Sequence, residues 1–388
     1  MIVTAILVSA VTTYLLVRYS HLHASATGDF PVGPQKFHTE AVPRVGGLGI
    51  VAGFLGSLLA LSFSWTSWTF EGGTFVHQTA LLLLCSVPAL AGGLGEDVTK
   101  RVGVGVRLGA TMIAAGLAFF ALDGVLDHVD VAGLDAALGV GAISLAFTMV
   151  AVGGTANALN IIDGYNGLTG AIAIFIFSAL AYVSFLVGDS FLLGASLAMM
   201  GALAGFLPWN FPRGRIFLGD GGAYFVGFMI GEISVLLVRR HSEVSPWYPL
   251  LLVAYPVWET LFSIYRKKIF RGQSPGEPDG LHLHQLVYRR VMRWKVGSRN
   301  PRDRLERNSF TSPYLWAFSL TTIIPAMIFW QSTVVLAFWA FGFAFLYVWL
   351  YRRIVAFRVP RWIILWKPRA SPPAFADEWE SCKSRDGT

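Results

Sequence analysis

Long uninterrupted apolar runs limit what this chain can fold into more than any other feature. Residues 80–90, 137–152 and 334–351 carry no charge at all. A helix needs about 20 mostly apolar residues to cross the hydrocarbon layer of a bilayer. On that template the sequence predicts about eleven spans, at 2–17, 45–63, 79–94, 108–122, 138–156, 168–187, 191–208, 222–238, 247–265, 313–330 and 332–350. Only 14% of the residues are charged, against about 25% in a soluble protein, so most of the chain meets no water. The expected fold class is all-α: a polytopic integral membrane protein with about 10–11 transmembrane helices and polar loops. Residues 1–350 are read as one transmembrane domain and 351–388 as a tail. The first run is not read as a cleavable signal. No Lys or Arg precedes it, whereas Arg18 follows it, the reverse of a signal peptide. Cys85 lies in an apolar run and Cys382 in the tail, so the two thiols are not expected to pair.

Charge sets the orientation. With eleven spans and the N-terminus outside, the inner segments hold 28 of the 30 Lys and Arg residues, and the outer loops only Arg239 and Arg240. The outer loops carry acids instead, among them Asp123, Asp127, Asp130, Asp135 and Asp189. Cytoplasmic loops are the positive ones, so the basic side faces the cytoplasm, including the large loop at about 266–312. The net charge of +7 is therefore a signal of topology and excludes no more than it explains: no nucleic-acid partner is expected, whereas anionic headgroups and phosphorylated substrates suit such a face. The tail at 357–369 mixes Trp362 and Trp366 with basic residues and is read as interfacial.

Five polar clusters fall on inner segments. The first contains Lys36, His38, Glu40, Arg44, Gly46 and Gly47. It opens a span, where free helical N–H groups can meet an anion; the bland reading is that the glycines only pack. The second, Gly92 to Arg101, holds adjacent carboxylates Glu96 and Asp97 with Lys100, and charge at a span end is costly unless solvated or used. The third places Asn157, Asn160 and Asp163 three residues apart before Gly164, Asn166 and Gly167. On a helix the first three share one broad side, and oxygen donors beside a glycine turn suit a hard cation or a polar substrate edge. The fourth runs from Asn210 through Arg213 and Arg215 to Gly219-Asp220-Gly221-Gly222. A carboxylate among glycines at a helix start is either an N-cap or a Mg²⁺ ligand. The fifth holds Asp279, His282, His284 and Gln285, followed by Arg289, Arg290 and Arg293. Phosphate contact is more economical there than zinc, since no Cys is near.

In this order the clusters resemble the polyprenyl-phosphate N-acetylhexosamine-1-phosphate transferase family, which includes the phospho-MurNAc-pentapeptide translocase. NALNIIDGYNGL and RIFLGDGG are the most specific pieces, and LHLHQLVYRR is similar to the O-antigen-initiating branch. The resemblance spans about 29–290. It implies transfer of a sugar 1-phosphate from a UDP-N-acetylhexosamine to undecaprenyl phosphate with release of UMP. The implied cofactor is Mg²⁺, with Mn²⁺ as a substitute. Asp220 matches the family's metal-ligand Asp, here joined by Asn160. Asp97, Asp163 and Glu96 match catalytic carboxylates. Substrate contacts are expected from Asn157, Asn166, Asn210, Lys36, His38, Arg44, Lys100, His282, His284 and Arg289. The sequence departs from the family at Glu96, usually Asp; at Asn166, often Asp; and at Gln285, usually His. We expect Asp97 to help prepare the lipid phosphate, Asp163 to position or assist it, and Asp220 to hold the metal; a covalent aspartyl-phosphate route remains open. The implied site is a cytoplasmic surface of a bacterial inner membrane, with a homodimer as the candidate assembly. A transporter or flippase for an anionic or lipid-linked substrate is the competing class, but it would place its polar groups near the bilayer midplane.

Overall fold

The computed structural model describes residues 1–29, 42–63, 70–270, 272, 280–292 and 301–357. Within them the regular structure is helical, apart from a two-residue antiparallel pair in which β1 (Gly28–Asp29) meets β2 (Val42–Pro43). The helices are α1 (Ile2–Arg18), α2 (Ser20–Thr27), α3 (Gly46–Ser62), α4 (Phe70–Cys85), α5 (Val87–Thr99), α6 (Val104–Ala121), α7 (Ala132–Leu138) and α8 (Gly141–Ile162). They continue as α9 (Leu168–Leu186), α10 (Ser190–Asn210), α11 (Gly219–Arg240), α12 (Trp247–Leu252), α13 (Ala254–Tyr265), α14 (Leu283–Leu286), α15 (Pro301–Ile328) and α16 (Thr333–Val355).

Each of the eleven expected runs carries helix. Seven stretches among the described residues are long and apolar enough to cross a membrane: Phe75–Thr99, which joins α4 to α5, then α6, α8, α9, α10, α11 and α16. The chain is a multi-pass membrane protein. The remaining runs show why the bare count is loose. The first helix bends by 82° into α2. The run at 247–265 breaks at Val253 into α12 and α13, and α15 starts at Pro301, well before its apolar part. The interfacial reading of the tail falls on residues outside those described.

At the centre stands α11, buried along its whole length up to Val238. A helix apolar on all sides has no face for water and belongs in a core. Its 22 residues span about 33 Å at 1.5 Å per residue, so its two ends mark the two sides of the protein. At the C-terminal end Arg239 meets Asp123 at 3.0 Å and Asp127 at 2.5 Å, while Arg240 meets Asp189 at 2.6 Å. These are the acid-bearing outer loops of the sequence reading, gathered at one end. The N-terminal end is gripped by small residues. α3 brings Gly47 against Gly222, and α5 brings Gly93 against Gly221. Membrane helices pack through small residues because lipid offers no hydrophobic drive to associate.

A Cβ at Gly93 would lie 2.5 Å from the Asp220 carbonyl oxygen and from the Gly221 backbone, whereas one at Gly103 would meet nothing. Overpacking of this kind costs about 1–3 kcal/mol. Gly93→Ala should therefore lower the melting temperature in detergent, and Gly103→Ala should leave it unchanged.

Candidate active site

The site is assembled on the N-terminus of α11. Gly219 enters the helix with φ of +77° and its missing Cβ would overlap the Arg44 carbonyl, so only glycine serves there. The first N–H groups of a helix lack partners within it. Asp97, fully buried at the end of α5, supplies them: its Oδ1 accepts from the Asp220 N–H at 2.9 Å and its Oδ2 from the Gly221 N–H at 2.8 Å. Three backbone hydrogen bonds fasten the first cluster to the fourth. Phe217 N–H donates to Pro43 O, Gly46 N–H to Phe217 O and Gly47 N–H to Leu218 O, each at 2.9 Å.

The Asp220 carboxylate then gathers side chains from three other elements. Its Oδ1 accepts from Asn160 Nδ2 at 2.8 Å and from Arg44 Nη2 at 3.2 Å. Its Oδ2 accepts from Arg107, whose guanidinium lies 5.6 Å from the centre of the Tyr224 ring. The Tyr224 hydroxyl donates to Asn157 Oδ1 at 3.1 Å. Arg44 also stands 3.6 Å from Asp97 and 3.8 Å from Asp29. Burial works against the charge on Arg44, but Asp220, Asp97, Asp29 and Asp163 together hold it above its ordinary value. Asp163 follows the last turn of α8, half-buried. Burial foremost, with the charges of Asp220 and Asp97 adding to it, pushes its carboxyl up to about 7. Lys100 is shifted down, first by burial and then by Arg44.

Other expected residues have different partners. Glu96 Oε2 accepts from the Val102 N–H at 2.7 Å and closes the loop between α5 and α6. Asn210 Oδ1 accepts from the Gly167 N–H at 2.6 Å and its Nδ2 donates to Ile216 O at 2.7 Å. Asn166 donates from Nδ2 to Pro212 O at 2.9 Å, and its N–H is held by Asn308 Oδ1 at 2.8 Å. Both asparagines are buried and tie loops together through these contacts. Asp97 likewise has both oxygens on backbone N–H groups. His282 and His284 lie beside the third cluster, where a Cβ at Gly164 would sit 3.6 Å from His284 Nε2. Arg289 donates to Gly280 O at 3.1 Å. Lys36 and His38 lie outside the described residues. The sequence reading passed over Arg107; its signal was a lone Arg in the first turn of the otherwise apolar α6. Likewise Glu259 is a lone acid in the run at 247–265.

Among the described residues no three His, Cys, Asp or Glu side chains form a ready-made metal cage. Mg²⁺ does not need one, since it takes one or two carboxylates and completes its shell with water and substrate phosphates. Asp220, Asp163 and Asn160 offer only hard oxygen ligands, and Asp220 already draws two guanidinium groups and an amide, so the donor set fits that ion.

The fold and the site now define a class. The chain is similar to glycosyl transferase family 4, whose model matches residues 79–238, the stretch that carries Asp97, Arg107, Asn160, Asp163 and Asp220. Among curated proteins it is 28% identical over 293 residues to the Bacillus subtilis "Probable undecaprenyl-phosphate N-acetylglucosaminyl 1-phosphate transferase", covering 74% of this chain and 77% of that one. It is 28% identical to the Thermotoga maritima undecaprenyl-phosphate alpha-N-acetylglucosaminyl 1-phosphate transferase (68% of this chain, 73% of that one). It is 26% identical to the Mycolicibacterium smegmatis decaprenyl-phosphate N-acetylglucosaminephosphotransferase (72% and 74%). The resemblance drawn from the motifs agrees with these similarities.

A carboxyl held at about 7 in the folded protein and near 3.9 when unfolded favours folding at low pH and loses that advantage as pH rises through 7. Asp163→Asn removes the titration. Thermal melts without substrate should show the variant gaining on the wild type between pH 5 and pH 8; a constant difference across that range would refute the shift.

Proposed function

We propose that the chain transfers an N-acetylhexosamine 1-phosphate from its UDP-sugar to undecaprenyl phosphate, releasing UMP, and so begins a surface polysaccharide such as O-antigen. The reaction would run at the cytoplasmic face of a bacterial inner membrane. The observation that carries this reading is the convergence of Asp220, Asn160, Arg44, Arg107 and Asp163 at helix ends. A site of this kind lies where a water-soluble nucleotide can reach a lipid phosphate. A transporter would need its polar groups near the bilayer midplane.

An apolar cavity of about 620 Å³ supports the lipid half of the reading. It lies between α8, α11 and α12–α13, with Val152, Ile230, Val253 and Leu261 among its walls, and it reaches Asn157. A polyprenyl tail in this groove would present its phosphate towards the Asn157–Tyr224–Arg107 side of the site. N-acetylglucosamine, named in the relatives, is the first sugar to test.

In the reaction an oxygen of the lipid phosphate attacks the sugar-linked phosphorus of the UDP-sugar. The bond from that phosphorus to the bridging oxygen breaks, and UMP leaves with the electron pair. Two anions must meet, so catalysis is mostly positioning and charge stabilisation. Arg44 and Arg107 bring positive charge to the meeting point, and both are held in place by Asp220. Asp97 fixes the backbone from which Asp220 projects. Asp163 orients the lipid phosphate and takes any proton it carries, which a carboxylate poised near 7 does well. Mg²⁺, held by Asp220 with Asn160 or Asp163 close by, would offset the diphosphate charge and that of the departing UMP.

The test is UMP release by purified protein given undecaprenyl phosphate, Mg²⁺ and a panel of UDP-N-acetylhexosamines. Asp220→Ala and Asp163→Ala should each lose activity by about 100-fold or more, a loss on the scale of removing a transition-state contact, with folding intact. Full activity in both variants would contradict the assignment.

A further inference from the structure

A buried carboxylate outside the α11 cluster has its own set of partners. Glu259 is buried in α13, where an acid in an apolar run is costly and marks function. Its Oε1 stands 3.0 Å from His282 Nδ1 and accepts from the Leu283 N–H at 3.0 Å. It thereby fastens the start of α14 to α13. The capping box is internal to α14: the His282 N–H donates to Gln285 Oε1 at 3.2 Å, and the His282 side chain faces the Gln285 N–H. The His282 ring stacks on that of His284, with centroids 5.2 Å apart and planes within 4°. His284 is buried and meets Tyr165 edge-on at 5.6 Å. Its Nε2 faces Gly164, the residue after Asp163. An unbroken line of contacts thus runs from Glu259 through the two imidazoles to the Asp163 loop.

We propose that Glu259 is a positioning residue: it holds His282 by Nδ1, fixes the ring plane of the stacked pair, and turns His282 Nε2 towards the phosphate-bearing substrate. The proposal rests on the transferase reading for its substrate but not for its geometry. An ionised carboxylate only accepts, so the nitrogen it faces carries the proton, and the other nitrogen is left for the ligand. With Nδ1 held by the carboxylate, Nε2 is the ring atom that meets the phosphate-bearing substrate. The same logic orients histidines in hydrolytic and metal sites. Burial pushes His284 down to about 3, so it stays neutral and serves as the platform on which His282 stacks.

Two measurements on the full-length protein in detergent test this. The first is 15N NMR of histidine-labelled wild type, with the His282 signals assigned by their loss in His282→Asn. A protonated Nδ1 is expected, and an unprotonated Nδ1 overturns the proposal whatever the enzyme does. The second is a double-mutant cycle on UMP release. Glu259→Gln keeps the shape and removes the charge, and it should lower kcat by about 10- to 100-fold, the usual effect of losing such a partner, with KM for the UDP-sugar within about threefold. His282→Ala should lose at least as much, and the double variant no more than His282→Ala alone. Losses that multiply in the double variant would show that Glu259 acts apart from His282 and would overturn the proposal. Wild-type protein that releases no UMP with any UDP-sugar would sink the transferase reading, and the NMR result would still decide the role of Glu259.

Discussion

The two hydrogen bonds from Asp97 to the first N–H groups of α11 organise everything else in the site. A buried carboxylate is tolerated only when its charge is matched by donors, and here a helix N-terminus matches it with both backbone N–H groups and dipole. The match works in both directions. Asp97 is held where a membrane helix ends, and the start of α11 is held against α5. The left-handed turn at Gly219 and the close approach of Gly93 to Gly221 are conditions for that contact. Once α11 is fixed, Asp220 projects to the one place where Arg44, Arg107 and Asn160 reach it together.

This division of labour separates two kinds of acid that look alike in sequence. Asp97 turns its charge inward to backbone; Asp220 presents its charge to cations. Asp163 is half-buried, and burial raises its carboxyl to about 7. The basic groups are arranged accordingly. Arg44 sits among four acids, and Arg107 bridges Asp220 to the Tyr224–Asn157 pair, which borders the apolar groove. The polar cluster and the apolar groove therefore adjoin at Asn157.

Much of the fold was legible because membrane helices announce themselves by length and apolarity alone. The eleven runs and the acid–base asymmetry between loops needed no tertiary information. All five polar clusters were expected on inner segments, and the family resemblance implied a shared site. What the sequence withheld was the partner of each polar atom. Asn166 and Asn210 look like substrate ligands in the motif, yet their partners, Asn308, Pro212 and Ile216, come from segments that only the fold brings near. Glu96 and Asp97 are neighbours in sequence but point to a loop and to a helix end respectively. Arg107 escaped notice because one cation in an apolar helix looks like a flanking charge until Asp220 appears opposite it. The break at Val253 was hidden because a run of apolar residues does not show where its helix is interrupted.

The most direct test of the account is hydrogen–deuterium exchange at the Asp220 and Gly221 amides, compared between the wild type and Asp97→Ala. If Asp97 anchors α11, these two amides exchange slowly in the wild type and at least about tenfold faster in the variant, while the amides at 234–240 are unchanged. Equal exchange at Asp220 and Gly221 in the two proteins would contradict it.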